Sequence, residues 1–108
     1  MSFLKSSWIG FVGFIGCIAV TSVHAQNITP ELQKKLTMCT ACHGDSGSSA
    51  FLSIPDLKWQ NKDYMVNQLR HFRSEQRSDI TMSKVAKLLS DEDIDAIAEY
   101  FYHEGSRQ

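Results

Sequence analysis

The sequence lacks several features that would indicate a large or composite protein. No stretch of useful length alternates polar and apolar residues in the way that a β-strand does. No internal repeat and no second domain is visible within its 108 residues. Only three cysteines are present, and the one Cys-x-x-Cys pair has no second pair of ligands at similar spacing, which argues against a zinc site. These absences predict a single small domain built only of α-helices.

No apolar run is long enough to cross a bilayer comfortably. The longest covers residues 8–20, whereas a transmembrane helix needs about 20 apolar residues. Lys5 lies before this run, and the Val-His-Ala sequence of residues 23–25 fits a signal-peptidase site. We therefore expect residues 1–25 to be a cleaved secretory signal peptide and residues 26–108 to form the mature domain.

Lipidation at Cys17 and an uncleaved membrane anchor are the alternatives to cleavage. The sequence before Cys17 resembles a lipoprotein signal poorly, and the chain stays apolar after it. The shortness of the apolar run argues against the anchor. A lipidated protein would be tethered to the membrane.

The most informative stretch is Cys39-Thr40-Ala41-Cys42-His43. Two cysteines at this spacing face the same side of a helical turn, so each can form a thioether with one vinyl group of a haem lying against that side. The adjacent histidine can then present its imidazole to the iron. A redox dithiol and half of a zinc site are the competing interpretations. The histidine favours haem, which would also give a small domain the apolar centre that it lacks.

Capping signals indicate where the helices of this domain begin. Thr29 and Pro30 fit the N-cap and the first position of a helix that runs into the cysteine motif. A second helix is expected to start at Asn61 or Lys62, because apolar residues follow at helical spacing. Residues 83–89 could form a further short turn of helix.

The last helix has the clearest start. Ser90 is the expected N-cap, and Asp93 occupies the position at which a capping box usually has Glu. Apolar residues then recur with the spacing of one helix face, and Gly105 is a natural stop. About four helices are therefore predicted in all.

Five further side chains could complete the coordination of a haem iron: Met38, Met65, Met82, His71 and His103. Met38 is next to the motif and on the wrong side of its geometry. Met65 lies on an amphipathic helix face and is better explained as a core residue. His71 fits a partly solvated helix position, and His103 is close to the chain end. Met82 lies in an irregular segment, from which a thioether can reach the distal face of a haem.

The sequence resembles the class I c-type cytochromes, of the small bacterial periplasmic kind that also occurs doubled in di-haem cytochromes. The resemblance covers nearly all of the mature domain. It rests on these segments: Cys39 to Gly44, Ile54-Pro55-Asp56-Leu57, Tyr64 with Gln68-Leu69 and Phe72-Arg73, Met82, and Leu89 to Ile94 with Tyr100-Phe101.

The resemblance implies the small cytochrome c fold, with about four helices wrapped around one covalently bound haem c. It implies that Cys39 and Cys42 attach this haem, and that His43 and Met82 are the ligands of its iron. In similar cytochromes a proline at the place of Pro55 offers its backbone carbonyl to the Nδ1–H of the proximal histidine. Such a bond fixes the imidazole ring.

Two departures from the family pattern affect local packing. Trp59 lies in a segment where the family often has a small residue, and the first helix lacks the glycine that usually allows close crossing with the last helix. Arg73, Arg77 and Trp59 are candidates to bind the haem propionates, although solvated side chains explain them equally well.

The resemblance implies a soluble periplasmic electron carrier that is not an enzyme on its own. Its partners would be redox proteins such as a periplasmic dehydrogenase, oxidase or reductase. We expect no nucleic acid, and membrane contact only through partners unless the chain is lipidated. The alternatives are a cytochrome subunit of a periplasmic dehydrogenase, a haem sensor or peroxidase-like catalyst with an open sixth position, and, least favoured, a haem-free redox dithiol.

Charge is distributed unevenly along the mature domain. Residues 58–87 contain seven basic and three acidic side chains, whereas residues 91–104 contain six acids and no Lys or Arg. Two solvated helix faces are one explanation. The other is a basic rim near the exposed side of the haem that attracts an acidic redox partner, with the acidic last helix pointing away. This docking face would centre on Lys58, Arg73, Arg77 and Lys84.

Overall fold

A computed structural model describes residues 28–106. Within this range the chain forms four helices and no strand: α1 (Pro30–His43), α2 (Lys62–Arg73), α3 (Met82–Ala86) and α4 (Asp91–Gly105). The all-α prediction with about four helices is therefore confirmed. The predicted signal peptide lies outside the described residues. Within 28–106, no helix is both long and apolar enough to span a membrane.

Three of the four helices begin where the sequence predicts, two of them at the predicted N-caps Thr29 and Ser90 and the third after Asn61. The side chains of Thr29 and Asn61 each accept a hydrogen bond from the backbone N–H three residues further on, at 3.1 and 3.0 Å. Ser90 and Asp93 form a reciprocal capping box, with bonds of 3.1 and 2.9 Å. These bonds are local in sequence, so the helix starts are readable from the residue types alone.

The core lies along one face of α4. Ile94, Ala98 and Phe101 are almost inaccessible to solvent, and they follow the spacing of a single helix face. Ile97 on α4 also belongs to the core. The other members come from α1, α2 and the segment before α4: Leu36, Met65, Val66 and Leu89. Packing of α1 and α2 against the same helix sets the positions of the residues at the end of α1.

A polar contact and a close approach hold α1 and the loop after it against the two ends of α4. Near its start, the ammonium of Lys35 on α1 lies 2.5 Å from a carboxylate oxygen of Asp93. At its end, Gly105 lies so close to the 47–60 loop that an added Cβ would be 2.9 Å from the Cα of Lys58. Gly105, predicted as a helix stop, is the last helical residue, and its missing side chain admits this loop.

The loop between α1 and α2 folds back on itself. The carbonyl of Gly47 accepts hydrogen bonds from the backbone N–H groups of Leu57 and Lys58, at 2.7 and 3.2 Å. Gly47 has a φ of +79°, and a Cβ there would lie 2.7 Å from the Lys58 nitrogen, so only glycine fits without displacement. This closure returns Pro55 to the end of α1.

Candidate haem-binding site

A cavity of about 520 Å³ opens between the end of α1, the following loop and the other helices. Its surface is mainly apolar, as expected of a cofactor site. We call residues 39–43 and 53–57 the histidine wall, and residues 77–85 the methionine wall. The remaining side chains at the cavity come chiefly from α2 and α4: Met38, Gln60, Tyr64, Met65, Gln68, Leu69, Phe72, Ile97 and Phe101.

Cys39 and Cys42 both line this cavity from the last turn of α1, and neither is in a disulfide. Burial raises the pKa of the Cys39 thiol to about 11, an effect to which the neighbouring Cys42 also adds. A reactive dithiol depends on a thiol with a lowered pKa. The environment of Cys39 therefore argues against the interpretation as a redox dithiol.

His43 is buried, with 8% of its surface exposed, and it also lines the cavity. Its Nδ1 lies 2.8 Å from the carbonyl oxygen of Pro55. A carbonyl can only accept a hydrogen bond, so Nδ1 carries a proton, which leaves Nε2 as the nitrogen that can bind a metal. This is the arrangement of a metal-binding histidine held by a backbone carbonyl.

The turn after His43 holds the histidine wall in place. Gly44 ends α1 with a φ of +81°, and its N–H donates to the carbonyl of Thr40 at 2.8 Å. A Cβ on Gly44 would lie 2.0 Å from the carbonyl oxygen of Ser48, which no side chain can tolerate. The hydroxyl of Ser49 donates to the Cys42 carbonyl at 2.9 Å and ties the loop to the motif.

Met82 is the first residue of α3, where it is half-buried and lines the cavity together with Val85. Met65 is buried in the core, as predicted, but one side of it also reaches the cavity. The expectation that Met38 points away is wrong, since Met38 belongs to the lining. His71 and His103 are absent from the lining residues within 28–106. In the same range, no three His, Cys, Asp or Glu side chains form a group that could hold a metal ion.

The three candidates for propionate binding are in different environments. Arg77 lines the cavity, donates to the side-chain oxygen of Gln68 at 2.7 Å, and lies 4.6 Å from the centre of the Phe72 ring. Arg73 instead donates to the carbonyl of Leu89 at 3.0 Å and forms an ion pair with α4. Trp59 is 69% exposed and is not part of the lining. Of these three candidates, only Arg77 is therefore placed to reach a propionate of a haem in the cavity.

The acidic helix does not point away from the basic segment. Arg70 and Arg73 on α2 both pair with Asp91, and Lys62 pairs with Glu99. The predicted docking face is wrong in this respect, because Arg73 serves to join α2 to α4. Three cations form no ion pair within 4 Å with a carboxylate in the part of the chain that the structure describes: Lys58, Arg77 and Lys84. Arg77 nevertheless interacts electrostatically with Asp79.

Sequence reasoning missed Asp79, which lies on the methionine wall. Its Oδ1 accepts hydrogen bonds from the backbone N–H groups of Met82 and Thr81, at 2.7 and 2.9 Å. These two bonds lower the pKa of the Asp79 carboxyl, and the bond from the Met82 N–H has the larger effect. An aspartate three residues before the start of a short helix is a signal for such a turn, and it could have indicated this residue.

Comparison with known proteins agrees with this geometry. Residues 29–101 match the protein family described as cytochrome c oxidase, cbb3-type, subunit III. The chain belongs to this family of c-type cytochromes. As a member, it carries covalently bound haem c.

Two of three relatives are cytochromes c by name, and the third is named as an electron acceptor. The chain is 35% identical over 72 residues to cytochrome c-554(548) of Halomonas halodenitrificans, a match that covers 64% of this chain and 87% of that protein. It is 33% identical over 78 residues to cytochrome c4 of Pseudomonas aeruginosa, covering 72% of this chain and 39% of the relative. It is 32% identical over 79 residues to the thiosulfate dehydrogenase electron acceptor of Stutzerimonas stutzeri, a match that covers 70% of this chain and 37% of the relative. The chain therefore spans less than half the length of two of these three relatives.

The residues of the cavity fit haem c. Two free thiols lie on the last turn of one helix, and an imidazole held at Nδ1 leaves Nε2 available. A thioether is present on another part of the cavity surface, and apolar side chains fill most of the rest. When bound, haem c supplies an iron that gains and loses one electron reversibly.

Proposed function

We propose that this protein is an electron carrier in which Cys39 and Cys42 attach one haem c, and His43 and Met82 are the axial ligands. The observation that carries the proposal is that one apolar cavity is lined by both thiols, by the imidazole and by the Met82 thioether. Membership of the c-type cytochrome family supports the same function.

The protein's own residues explain how such a site would serve electron transfer. The hydrogen bond to Pro55 fixes the ring of His43 and increases its basicity as a ligand. Two protein ligands keep the coordination similar in both oxidation states, so little rearrangement opposes the transfer. The apolar lining lowers the local dielectric constant and thereby tunes the potential. This chemistry requires no substrate site, so we expect no enzymatic activity from the protein alone.

Spectroscopy of methionine variants tests the ligand assignment. The oxidised protein should show the weak near-infrared band of sulfur-to-iron charge transfer, and Met82→Ala should abolish it. Met65→Ala and Met38→Ala are the matched controls, because both side chains line the same cavity. Loss of the band in either control, with Met82→Ala unchanged, would reassign the ligand.

Binding of carbon monoxide separates the carrier from a haem sensor or a peroxidase-like catalyst. Met82 occupies the sixth position in the proposal, so the reduced protein should bind carbon monoxide poorly. Met82→Ala should bind it readily. Tight binding by the unmodified protein would indicate an open position and contradict the carrier function.

We propose export to the periplasm after cleavage following Ala25. The Val-His-Ala sequence of residues 23–25 and the apolar run before it support this location. The N-terminus of the purified protein should then be Gln26, or a pyroglutamate formed from it. A chain that begins with a lipidated Cys17 would instead be a membrane-tethered carrier.

A cytochrome subunit of a periplasmic dehydrogenase is the second candidate function. It is favoured by the relative named as the electron acceptor of a thiosulfate dehydrogenase. Purification from the native cells at low salt, followed by mass spectrometry, distinguishes the two functions. A stoichiometric dehydrogenase partner would support the subunit, whereas elution as a lone small protein would support the free carrier.

Lys58, Arg77 and Lys84 define the surface at which we expect anionic redox partners to approach. Arg77 lines the cavity, Lys84 lies between the lining residues Met82 and Val85, and Lys58 follows the lining residue Leu57. A positive potential there increases the rate of encounter with an anion, and salt screens it.

Oxidation of the reduced protein by the ferricyanide anion measures this effect. The rate should fall as salt is raised, and Arg77→Glu should slow it. Lys34→Glu is a control of equal charge change, because Lys34 is exposed on α1, pairs with Glu31 and is not part of the cavity lining. If both variants slow the reaction equally, only the net charge matters and the proposed surface has no special role.

A further inference from the structure

Met82 is held in a part of the chain that has little structure of its own. Residues 74–81, which lead to it, are all exposed, and α3 is only five residues long. A helix of this length is not stable by itself. Some tertiary or local contact must therefore fix the backbone from which the Met82 side chain extends.

Asp79 makes that contact through hydrogen bonds of both its side chain and its backbone. Its Oδ1 accepts from the Met82 N–H at 2.7 Å and from the Thr81 N–H at 2.9 Å. Its backbone N–H donates to the hydroxyl of Ser83 at 3.0 Å, and its carbonyl accepts from the Ser83 N–H at 3.1 Å. Four bonds thus join Asp79 to the three residues that start α3.

We propose that Asp79 is a positioning residue for Met82. It fixes the peptide of Met82 itself, and so keeps the thioether at the cavity rather than turned toward solvent. Hydrogen bonds from backbone N–H groups to a carboxylate are stronger than those to a neutral acceptor. The inference rests on the proposed function of Met82 as an iron ligand.

A general structural role is the rival explanation. Asp79 would then only cap α3, and its loss would destabilise the whole domain without a specific effect on Met82. The two roles predict different effects on how easily an external ligand displaces the Met82 thioether from the iron. If Asp79 positions Met82, an external ligand of the iron should displace the thioether more easily once the carboxylate is removed, while other caps should have no such effect.

Titration of the haem-loaded ferric protein with imidazole tests the proposal. In Asp79→Ala the apparent affinity for imidazole should increase by about tenfold, because the methionine-bound state that imidazole must displace is less favoured. The near-infrared band should weaken in parallel. Asp79→Asn keeps an acceptor oxygen at the same place, so it should restore most of the normal behaviour.

Two further variants complete the experiment. Ser83→Ala removes one of the four bonds, so it should shift imidazole binding in the same direction by a smaller factor, even if Asp79→Ala does not fold. Ser90→Ala is the control, because it removes the cap of another helix, α4, and should leave imidazole affinity unchanged.

The outcomes are distinct. Unchanged imidazole affinity in both Asp79→Ala and Ser83→Ala would overturn the positioning role, as would an equal increase in Ser90→Ala. Persistence of the near-infrared band in Met82→Ala would instead overturn the ligand assignment itself. Loss of the band in Met82→Ala, together with normal imidazole binding in the Asp79 and Ser83 variants, would leave the proposed function intact and reject only this inference.

Discussion

The histidine wall and the methionine wall of the cavity are built in different ways. Cys39, Cys42 and His43 lie on the last turn of a 14-residue helix, and the loop that follows is closed by glycines with positive φ. Met82 instead begins a five-residue helix after an exposed segment and depends on the hydrogen bonds of Asp79. One wall is set by helix geometry and close backbone contact, and the other by the hydrogen bonds of a single residue, Asp79.

This difference suggests how stability is divided across the site. Local opening in proteins occurs where few buried contacts and few protected hydrogen bonds hold the backbone. The methionine wall has both properties, so we expect the thioether to be the ligand that dissociates first. Variants of the histidine wall should therefore affect the whole protein, and variants of the methionine wall should affect ligation alone.

The largest expected effect is loss of covalent haem from the histidine wall. A variant with both Cys39→Ala and Cys42→Ala should release all of its haem in a denaturing gel, because no thioether remains. The unmodified protein should keep its haem stain and have a mass increased by one haem. Each single variant is a control, since one thiol can still attach the group. Retention of the stain by the double variant would contradict attachment through these residues.

The next largest effect is predicted for Gly44→Ala. The new Cβ would lie 2.0 Å from the Ser48 carbonyl oxygen, and the residue would keep a φ of +81° that alanine disfavours. We expect the free energy of unfolding to fall by about 2–4 kcal/mol, measured by chemical denaturation. Ser48→Ala is the matched control in the same loop. Its hydroxyl is buried without a partner among the described residues, so this variant should cost nothing.

Helix starts and the cysteine motif could be predicted because their determinants are adjacent in sequence. Thr29, Asn61 and Ser90 bond to residues three positions away, and the Cys-x-x-Cys-His spacing fits one helical turn. The hydrogen bond between His43 and Pro55 spans twelve residues, and only the family resemblance suggested it.

The features that sequence reasoning missed depend on tertiary structure. The uneven charge distribution suggested a basic face and an acidic face, but Arg73 and Asp91 meet across the contact between α2 and α4. Composition gives the number of charges and not their partners. Likewise, the side of α1 that Met38 occupies depends on how the neighbouring loop closes, which no local pattern specifies.

A moderate effect is expected from the ion pair that holds α1, and with it the histidine wall, against α4. Burial alone would raise the pKa of Asp93, but hydrogen bonds from Lys35 and the Ser90 N–H outweigh it and lower this pKa. A lowered folded-state pKa stabilises the protein above the unfolded value of about 3.9, and the contribution is lost as the pH falls through the folded value.

Asp93→Asn isolates this charge, since the amide oxygen can still accept from the Ser90 N–H. At pH 7 the variant should be less stable by about 1 kcal/mol, whereas at a pH well below about 3.9, where the carboxyl is protonated in the folded state as well, the difference should vanish. Thermal unfolding at both pH values measures it. Lys34→Gln, which breaks the exposed pair with Glu31 on the same helix, is the control and should change little. A difference that persists at low pH would mean that the amide disturbs packing and that charge is not the cause.

The smallest expected effect comes from Trp59, whose φ of +68° places strain in the loop that completes the histidine wall. A residue other than glycine in the left-handed region costs on the order of 1 kcal/mol, and an indole that is 69% exposed offsets little of it through packing. Trp59→Gly should raise the free energy of unfolding by about 0.5 kcal/mol, because the relieved strain exceeds the entropy that glycine adds to the unfolded chain. Trp59→Ala removes the indole but keeps the Cβ, so chemical denaturation should show no gain for it. A loss of stability in both variants would mean that the indole makes contacts worth more than the strain.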